Sequence, residues 1–162
     1  MGTNRARKQL AEGVNKGDVA PDFEALTQDG NKVRLSNYLH AGPVVLFFYP
    51  RAMTRGCTAE SCYFRDLAAE FAALNATRLG ISSDSVERQA TFADKENLDY
   101  PLLSDPDRAI AKAFGVKRPG PLFNRRRTFV IDTNRVVLEV IASETNMNTH
   151  ADEALAALRA RQ

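Results

Sequence analysis

Cys57 and Cys62 are the only cysteines of the 162-residue chain, and they stand five positions apart in the segment YPRAMTRGCTAESC. Two thiols so placed read as a reactive pair, the thiolate being the form that attacks. They follow Val44-Val45-Leu46-Phe47-Phe48-Tyr49, six apolar residues between Gly42-Pro43 and Pro50. That run predicts a strand buried on both faces. Cys57 then lies just beyond the strand's carboxyl end, where the turn into the next helix exposes backbone N–H groups.

Thr54 is a good N-cap residue, and a helix capped there puts Cys57 at its third position, inside the first turn. The positive helix end favours thiolate over thiol. Lowering the sulfur from about 8.5 to about 6 takes roughly 3.4 kcal/mol. A helix end supplies about 0.3–1 kcal/mol, up to about 2 when partly buried, so the site needs a further cation. Arg55 is adjacent, and a second arginine must come from elsewhere in the fold. Without such partners Cys57 reads as a small buried hydrophobe, Thr54 as a cap only and Pro50 as a strand terminator.

A length of 162 residues suits one domain with a single core. Hydrophobic residues make up 44% and charged ones 26%, values of an ordinary globular chain. A net charge of +2 gives no field that would imply nucleic acid or an anionic membrane as partner. No run approaches a membrane span, and the opening MGTNRARKQLAEGVNKG lacks the apolar block of a secretory signal. The expectation is a cytoplasmic protein, whose two cysteines are catalytic or metal-binding in preference to a static bridge.

Residues 1–17 are expected to form a mobile or weakly helical basic extension, and residues 18–162 a single α/β domain. Strands are predicted at Val33–Leu35, Val44–Tyr49, Arg78–Ile81, Thr128–Asp132 and Val136–Ala142, with a weaker one at Pro101–Leu103. Thr133-Asn134-Arg135 suits a β-hairpin, so the central sheet is expected to be mixed and flanked by helices. Helices are predicted from Phe64 to Leu74, Ser85 to Glu96, Arg108 to Phe114 and His150 to Ala160, the last opened by a Thr149/Asp152 capping box. The segment 115–125, GVKRPGPLFNR, reads as a long surface loop. Its Leu122 and Phe123 would either anchor the loop to the body or cover the site.

Together these residues resemble the thiol peroxidases called peroxiredoxins, and among them the Q-type, or bacterioferritin comigratory, group. Pro50, Thr54 and Cys57 match the pattern Pro-x-x-x-Thr-x-x-Cys, Glu60 and Cys62 follow as in Q-type sequences, and Arg126 before Thr128-Phe129-Val130-Ile131-Asp132 matches the family's distal arginine. Arg55 stands where the pattern usually has Pro, and Ala52-Met53 where it usually has a polar pair. The likeness runs from about Gly17 to the carboxyl terminus and implies a thioredoxin-like fold. It implies that Cys57 attacks the terminal oxygen of a hydroperoxide and becomes a sulfenic acid. Thr54 would hydrogen-bond sulfur and peroxide, Arg126 would stabilise thiolate and leaving oxygen, and Pro50 would shield the pocket. Glu60 would orient the arginine or simply lie on the helix surface. Met53 makes the rim more apolar, which would favour organic over inorganic hydroperoxides.

Cys62 would resolve the sulfenic acid as an intramolecular disulfide, with thioredoxin or a glutaredoxin-like donor as reductant. On one continuous helix the two cysteines lie about 7.5 Å apart along the axis and about 140° around it. A disulfide wants Cα atoms within roughly 7 Å, so its formation requires the helix to unwind locally. The alternatives are a one-cysteine peroxidase with Cys62 inert, a thiol-disulfide oxidoreductase or redox sensor, and a metal or partner-binding module. His40 and His150 make no zinc spacing with the cysteines and no Gly-rich phosphate loop is present, so no metal or other cofactor is expected. A monomer or weak homodimer is expected.

Overall fold

A computed structural model describes residues 13–161. The elements in chain order are β1 (Glu24–Thr27), β2 (Lys32–Arg34), α1 (Leu35–Leu39), β3 (Val44–Phe48), α2 (Arg55–Asp66), α3 (Ala68–Ala73), β4 (Thr77–Ser82), α4 (Val86–Glu96), β5 (Leu102–Ser104), α5 (Ala109–Phe114), β6 (Arg127–Ile131), β7 (Val137–Ala142) and α6 (Asn148–Ala160). They form one seven-stranded sheet in the order β2-β1-β5-β4-β3-β6-β7. β4 pairs in parallel with β3 and β5, while β1–β2, β1–β5, β3–β6 and β6–β7 are antiparallel. The sheet is therefore mixed, as expected.

β3 lies inside the sheet between β4 and β6, and side chains along it and the following Tyr49 alternate between two cores. Val44, Leu46 and Phe48 join one with Leu79, Phe114 and Phe129. Val45, Phe47 and Tyr49 join the other with Cys57, Phe64, Phe71 and Leu155. Burial on both faces explains why this strand reads as an unbroken apolar run. Phe47 stacks on Phe64 with ring centroids 4.2 Å apart, which ties α2 to the sheet.

Some boundaries differ from the expectations. The helix from Phe64 to Leu74 is two helices, α2 and α3, separated at Leu67, whose φ and ψ of −97° and 21° leave the helical region. β1, with only Ala25 and Leu26 as apolar residues, carries too weak an alternation to be predicted from the sequence. The capping box does not form: α6 starts at Asn148, and Asp152 instead accepts a hydrogen bond from the Tyr63 hydroxyl. Residues 1–12 of the basic extension lie outside the described residues. Residues 13–17, assigned with them, are packed on the domain. Val14 is buried and Gly17 N–H donates to the Val137 carbonyl. A side chain on Gly115 would run into the Gly13 backbone.

The 115–125 loop has no regular element, and Leu122 and Phe123 are 56% and 51% exposed, so they do not anchor it. Arg108 does the anchoring, its guanidinium donating to the Arg118, Gly120 and Leu122 carbonyls and to Asn124 Oδ1.

Candidate active site

β3 and β6 run antiparallel with Phe48 opposite Arg127. Arg126, one residue before β6, therefore enters beside the carboxyl end of β3, from which the chain turns through residues 50–54 into α2. Sequence separation of 69 residues thus closes to a contact: Arg126 Nη2 donates to Cys57 Sγ at 3.4 Å, both side chains buried. Thr54 occupies the N-cap position and Cys57 is the third helical residue, as predicted. Gly56 lets the arginine come close, since a Cβ there would stand 3.3 Å from Arg126 Nη2 and 3.5 Å from the Met147 thioether.

The second arm of the guanidinium is held by Glu60. Arg126 Nη1 donates to Glu60 Oε1 at 2.8 Å, with the two side chains 7% and 0% exposed. Glu60 lies one turn after Cys57 on α2, so one helix face presents both groups to one guanidinium. Burial pushes the Glu60 carboxyl up to about 8, against the opposing pull of Arg126. Its other oxygen, Oε2, is buried with no hydrogen-bond partner and lies 3.7 Å from His150 Nε2.

His150 Nε2 lies 2.8 Å from the Ser143 carbonyl, which can only accept, so this nitrogen carries a proton. Nδ1, 2.8 Å from Thr128 Oγ1, then accepts from that hydroxyl. Burial lowers the imidazole's pKa, and the ring is neutral in this arrangement. Sequence analysis missed His150 at the site because a lone histidine opening a distant helix gives no spacing signal. It also missed Glu144, which accepts the Arg126 N–H at 3.0 Å.

The remaining sequence-derived residues divide. Thr54 Oγ1 donates to the Arg51 carbonyl at 2.8 Å, neither capping α2 nor meeting the sulfur. Pro50 is half-buried and follows Tyr49 just past the end of β3, Arg55 is exposed, and the guanidinium that contacts the sulfur is that of Arg126. Cys62 is on α2 with Cys57, and both thiols are free. Cys62 Sγ donates to Glu96 Oε2 at 3.4 Å. Burial and this hydrogen bond push its thiol up, which keeps it protonated. Deeper in α2, Tyr100 hydroxyl donates to the Ser61 carbonyl at 2.7 Å and Arg78 Nη1 to the Phe64 carbonyl at 2.7 Å.

A buried thiol at a helix amino end, in contact with a buried guanidinium, can attack an electrophilic oxygen and stabilise the departing one. Comparison with known proteins agrees with that chemistry. The AhpC/TSA family profile matches residues 16–140. Peroxidoxin BcpB of Mycobacterium tuberculosis superposes with a TM-score of 0.89 at 55% identity, covering 92% of this chain and 99% of that one. The bacterioferritin comigratory protein of Xanthomonas campestris, whose structures concern alkyl peroxide reduction, gives 0.80 at 31% identity over 86% and 91% of the two chains. Chloroplastic peroxiredoxin Q of Arabidopsis thaliana is 42% identical over 150 residues, 91% of this chain and 68% of its own length. The chain belongs to the AhpC/TSA family and is a thiol-dependent peroxidase of the peroxiredoxin Q, or bacterioferritin comigratory, type, with a thioredoxin-like fold.

Proposed function

We propose that Cys57 is the peroxidatic residue and Cys62 its intramolecular resolving partner. The observation that carries the first role is the 3.4 Å contact between Arg126 Nη2 and the buried Cys57 sulfur. The thiolate attacks the terminal oxygen of R–O–O–H, the O–O bond breaks, Cys57 becomes S–O–H, and the leaving RO⁻ takes a proton to give water or an alcohol. Arg126 faces the sulfur and stabilises the thiolate and the charge that develops on the leaving oxygen. Glu60 orients Arg126, Pro50 starts the loop that closes the pocket, and Thr54 reaches peroxide only by exchanging its bond to the Arg51 carbonyl for one to the substrate.

In the second step the Cys62 thiol displaces water from the sulfenic acid to form the Cys57–Cys62 disulfide. Both residues lie on one continuous helix, so the first turns of α2 must open. The opening ends where the Tyr100 hydroxyl and Arg78 hold the Ser61 and Phe64 carbonyls, which leaves Cys62 on anchored structure while Cys57 travels. A dithiol protein of the thioredoxin or glutaredoxin kind returns two electrons and two protons. This chemistry fits a reducing cytoplasm. Among the described residues no helix is long and apolar enough to cross a membrane. Met53, packed against the site's core, favours organic over inorganic hydroperoxides. The protein works as a monomer or weak homodimer.

Rapid mixing of the reduced protein with hydrogen peroxide and an organic hydroperoxide, beside an insulin-reduction assay, tests this reading. Fast peroxide consumption and loss of both free thiols in the monomer are expected. Peroxide rates no faster than free cysteine would favour a thiol-disulfide oxidoreductase, and a retained Cys62 thiol would favour the one-cysteine cycle.

A further inference from the structure

Ala52, in the loop between β3 and α2, is gripped at both of its backbone polar groups. Its N–H donates to Asp84 Oδ2 at 2.7 Å, and its carbonyl accepts from Arg88 Nη2 at 3.1 Å. Arg88 Nε closes the ring on Asp84 Oδ1 at 2.9 Å. The grip is built into the body of the protein. Ser82 Oγ, at the end of β4, donates to Asp84 Oδ2 at 2.6 Å, and Gln89 Nε2 donates to Ser82 Oγ at 3.0 Å and to the Leu103 carbonyl at 2.8 Å. Ser82, Gln89 and Asp84 are all buried, whereas the Arg88 side chain is 40% exposed.

What the grip holds is a turn that would not hold itself. Met53, the next residue, has φ +65°, in the left-handed region that residues with a side chain leave unless their surroundings retain them. Thr54 then takes the N-cap position of α2, and Cys57 follows within the first turn. A loop released at Ala52 therefore loses its tie to β4 and α4 immediately upstream of the sulfur.

We propose that Asp84 and Arg88 are positioning residues that fasten this loop, keeping Cys57 against Arg126 in the reduced protein and limiting how often α2 opens toward Cys62. The proposal rests on the reading of Cys57 as peroxidatic and Cys62 as resolving. The clamp makes the two half-reactions compete. A tighter grip favours peroxide attack, which needs the folded pocket, and slows disulfide closure, which needs it open. Loss of the Arg88 grip on the Ala52 carbonyl removes a charge-assisted hydrogen bond, enough to shift the opening equilibrium about tenfold.

The test compares Arg88→Ala, Arg88→Lys and the surface control Thr91→Ala on the same helix. The chain has no tryptophan, so both steps are followed by rapid quench, thiol alkylation and mass spectrometry. Amide hydrogen exchange is measured alongside. In Arg88→Ala the second-order peroxide step should slow and first-order closure should quicken, by factors that multiply to about ten. Exchange should rise in residues 52–60 with β3 and β6 unchanged. Arg88→Lys, which keeps the ion pair to Asp84, should fall between, and Thr91→Ala should match the parent.

Rate constants and loop exchange of Arg88→Ala within twofold of the parent would overturn the proposal. So would exchange raised equally across β3 and β6, which marks general destabilisation. A parent that forms no Cys57–Cys62 disulfide would refute the resolving role alone. The clamp would still stand if the peroxide step slows and loop exchange rises in Arg88→Ala, and would fall if neither does.

Discussion

Substituting Glu60→Gln should change how peroxide reduction responds to pH, because the Arg126 guanidinium is shared between this residue and the reactive sulfur. Burial holds the Glu60 carboxyl at about 8. Below that pH it is neutral, accepts from Arg126 Nη1 as a neutral group, and leaves the guanidinium charge to the sulfur. Above it, the carboxylate competes for the charge and repels a thiolate one helical turn away. Groups three apart on a helix lie about 5–6 Å apart, and two unit charges at that separation in an effective dielectric of about 20 repel by roughly 3 kcal/mol. With Arg126 offsetting about half of that, the ionised form should react about tenfold more slowly.

Glutamine keeps the shape and the acceptor oxygen without the titration. His150, the other titratable side chain against Glu60, stays neutral through this range because burial lowers its pKa. The assay is the second-order rate constant for a hydroperoxide from pH 6.5 to 9.5, taken as the ratio of the Gln variant to the parent so that pH effects common to both proteins cancel. The ratio should start near one, climb through pH 8 and approach about ten. A ratio flat with pH, or a variant slower by one factor at every pH, would refute the reasoning.

The same carboxyl affects stability. Its folded pKa is raised above the ordinary value of 4.5, so its contribution is full below about 4.5 and is lost as pH rises through about 8. Thermal melts of the parent should weaken over that window by more than those of Glu60→Gln. Gly56→Ala should push a methyl to 3.3 Å from Arg126 Nη2 and slow the peroxide step several-fold, with little change in melting temperature, read by rapid quench and circular dichroism. Tyr100→Phe removes the hydroxyl that donates to the buried Ser61 carbonyl and should cost about 0.5–1.5 kcal/mol in urea unfolding. Phe64→Ala, which removes the ring stacked on Phe47, should cost about 3–5 kcal/mol in the same assay.

The catalytic loop was legible in the chain because its signals are local. The apolar run of β3, the turn after Pro50 and the position of Cys57 in the first turn of α2 follow from neighbours in sequence, and the structure has them as expected. Arg126 was found by its likeness to a family pattern, since nothing local separates it from Arg125 and Arg127. Its burial and its reach to the sulfur come from the β3–β6 register, a long-range pairing. His150, Glu144, Asp84 and Arg88 were silent for the same reason. Each reaches the site or its loop through tertiary packing of β4, α4, α6 or the segment before α6, and no spacing rule connects them to Cys57. Thr54 shows the reverse error: its type and position fit a cap, yet its hydroxyl turns back to the Arg51 carbonyl.

The central claim is that the Cys57 sulfur, held against Arg126, takes the oxygen from peroxide. It is tested most directly by treating the reduced Cys62→Ser variant with one equivalent of hydroperoxide in the presence of a sulfenic-acid-trapping dione and locating the adduct by peptide mass spectrometry. One adduct on Cys57, formed at the parent's rate of peroxide loss and lost when Arg126→Ala is added, is the predicted result. An unmodified Cys57 while peroxide disappears at the parent's rate would contradict it.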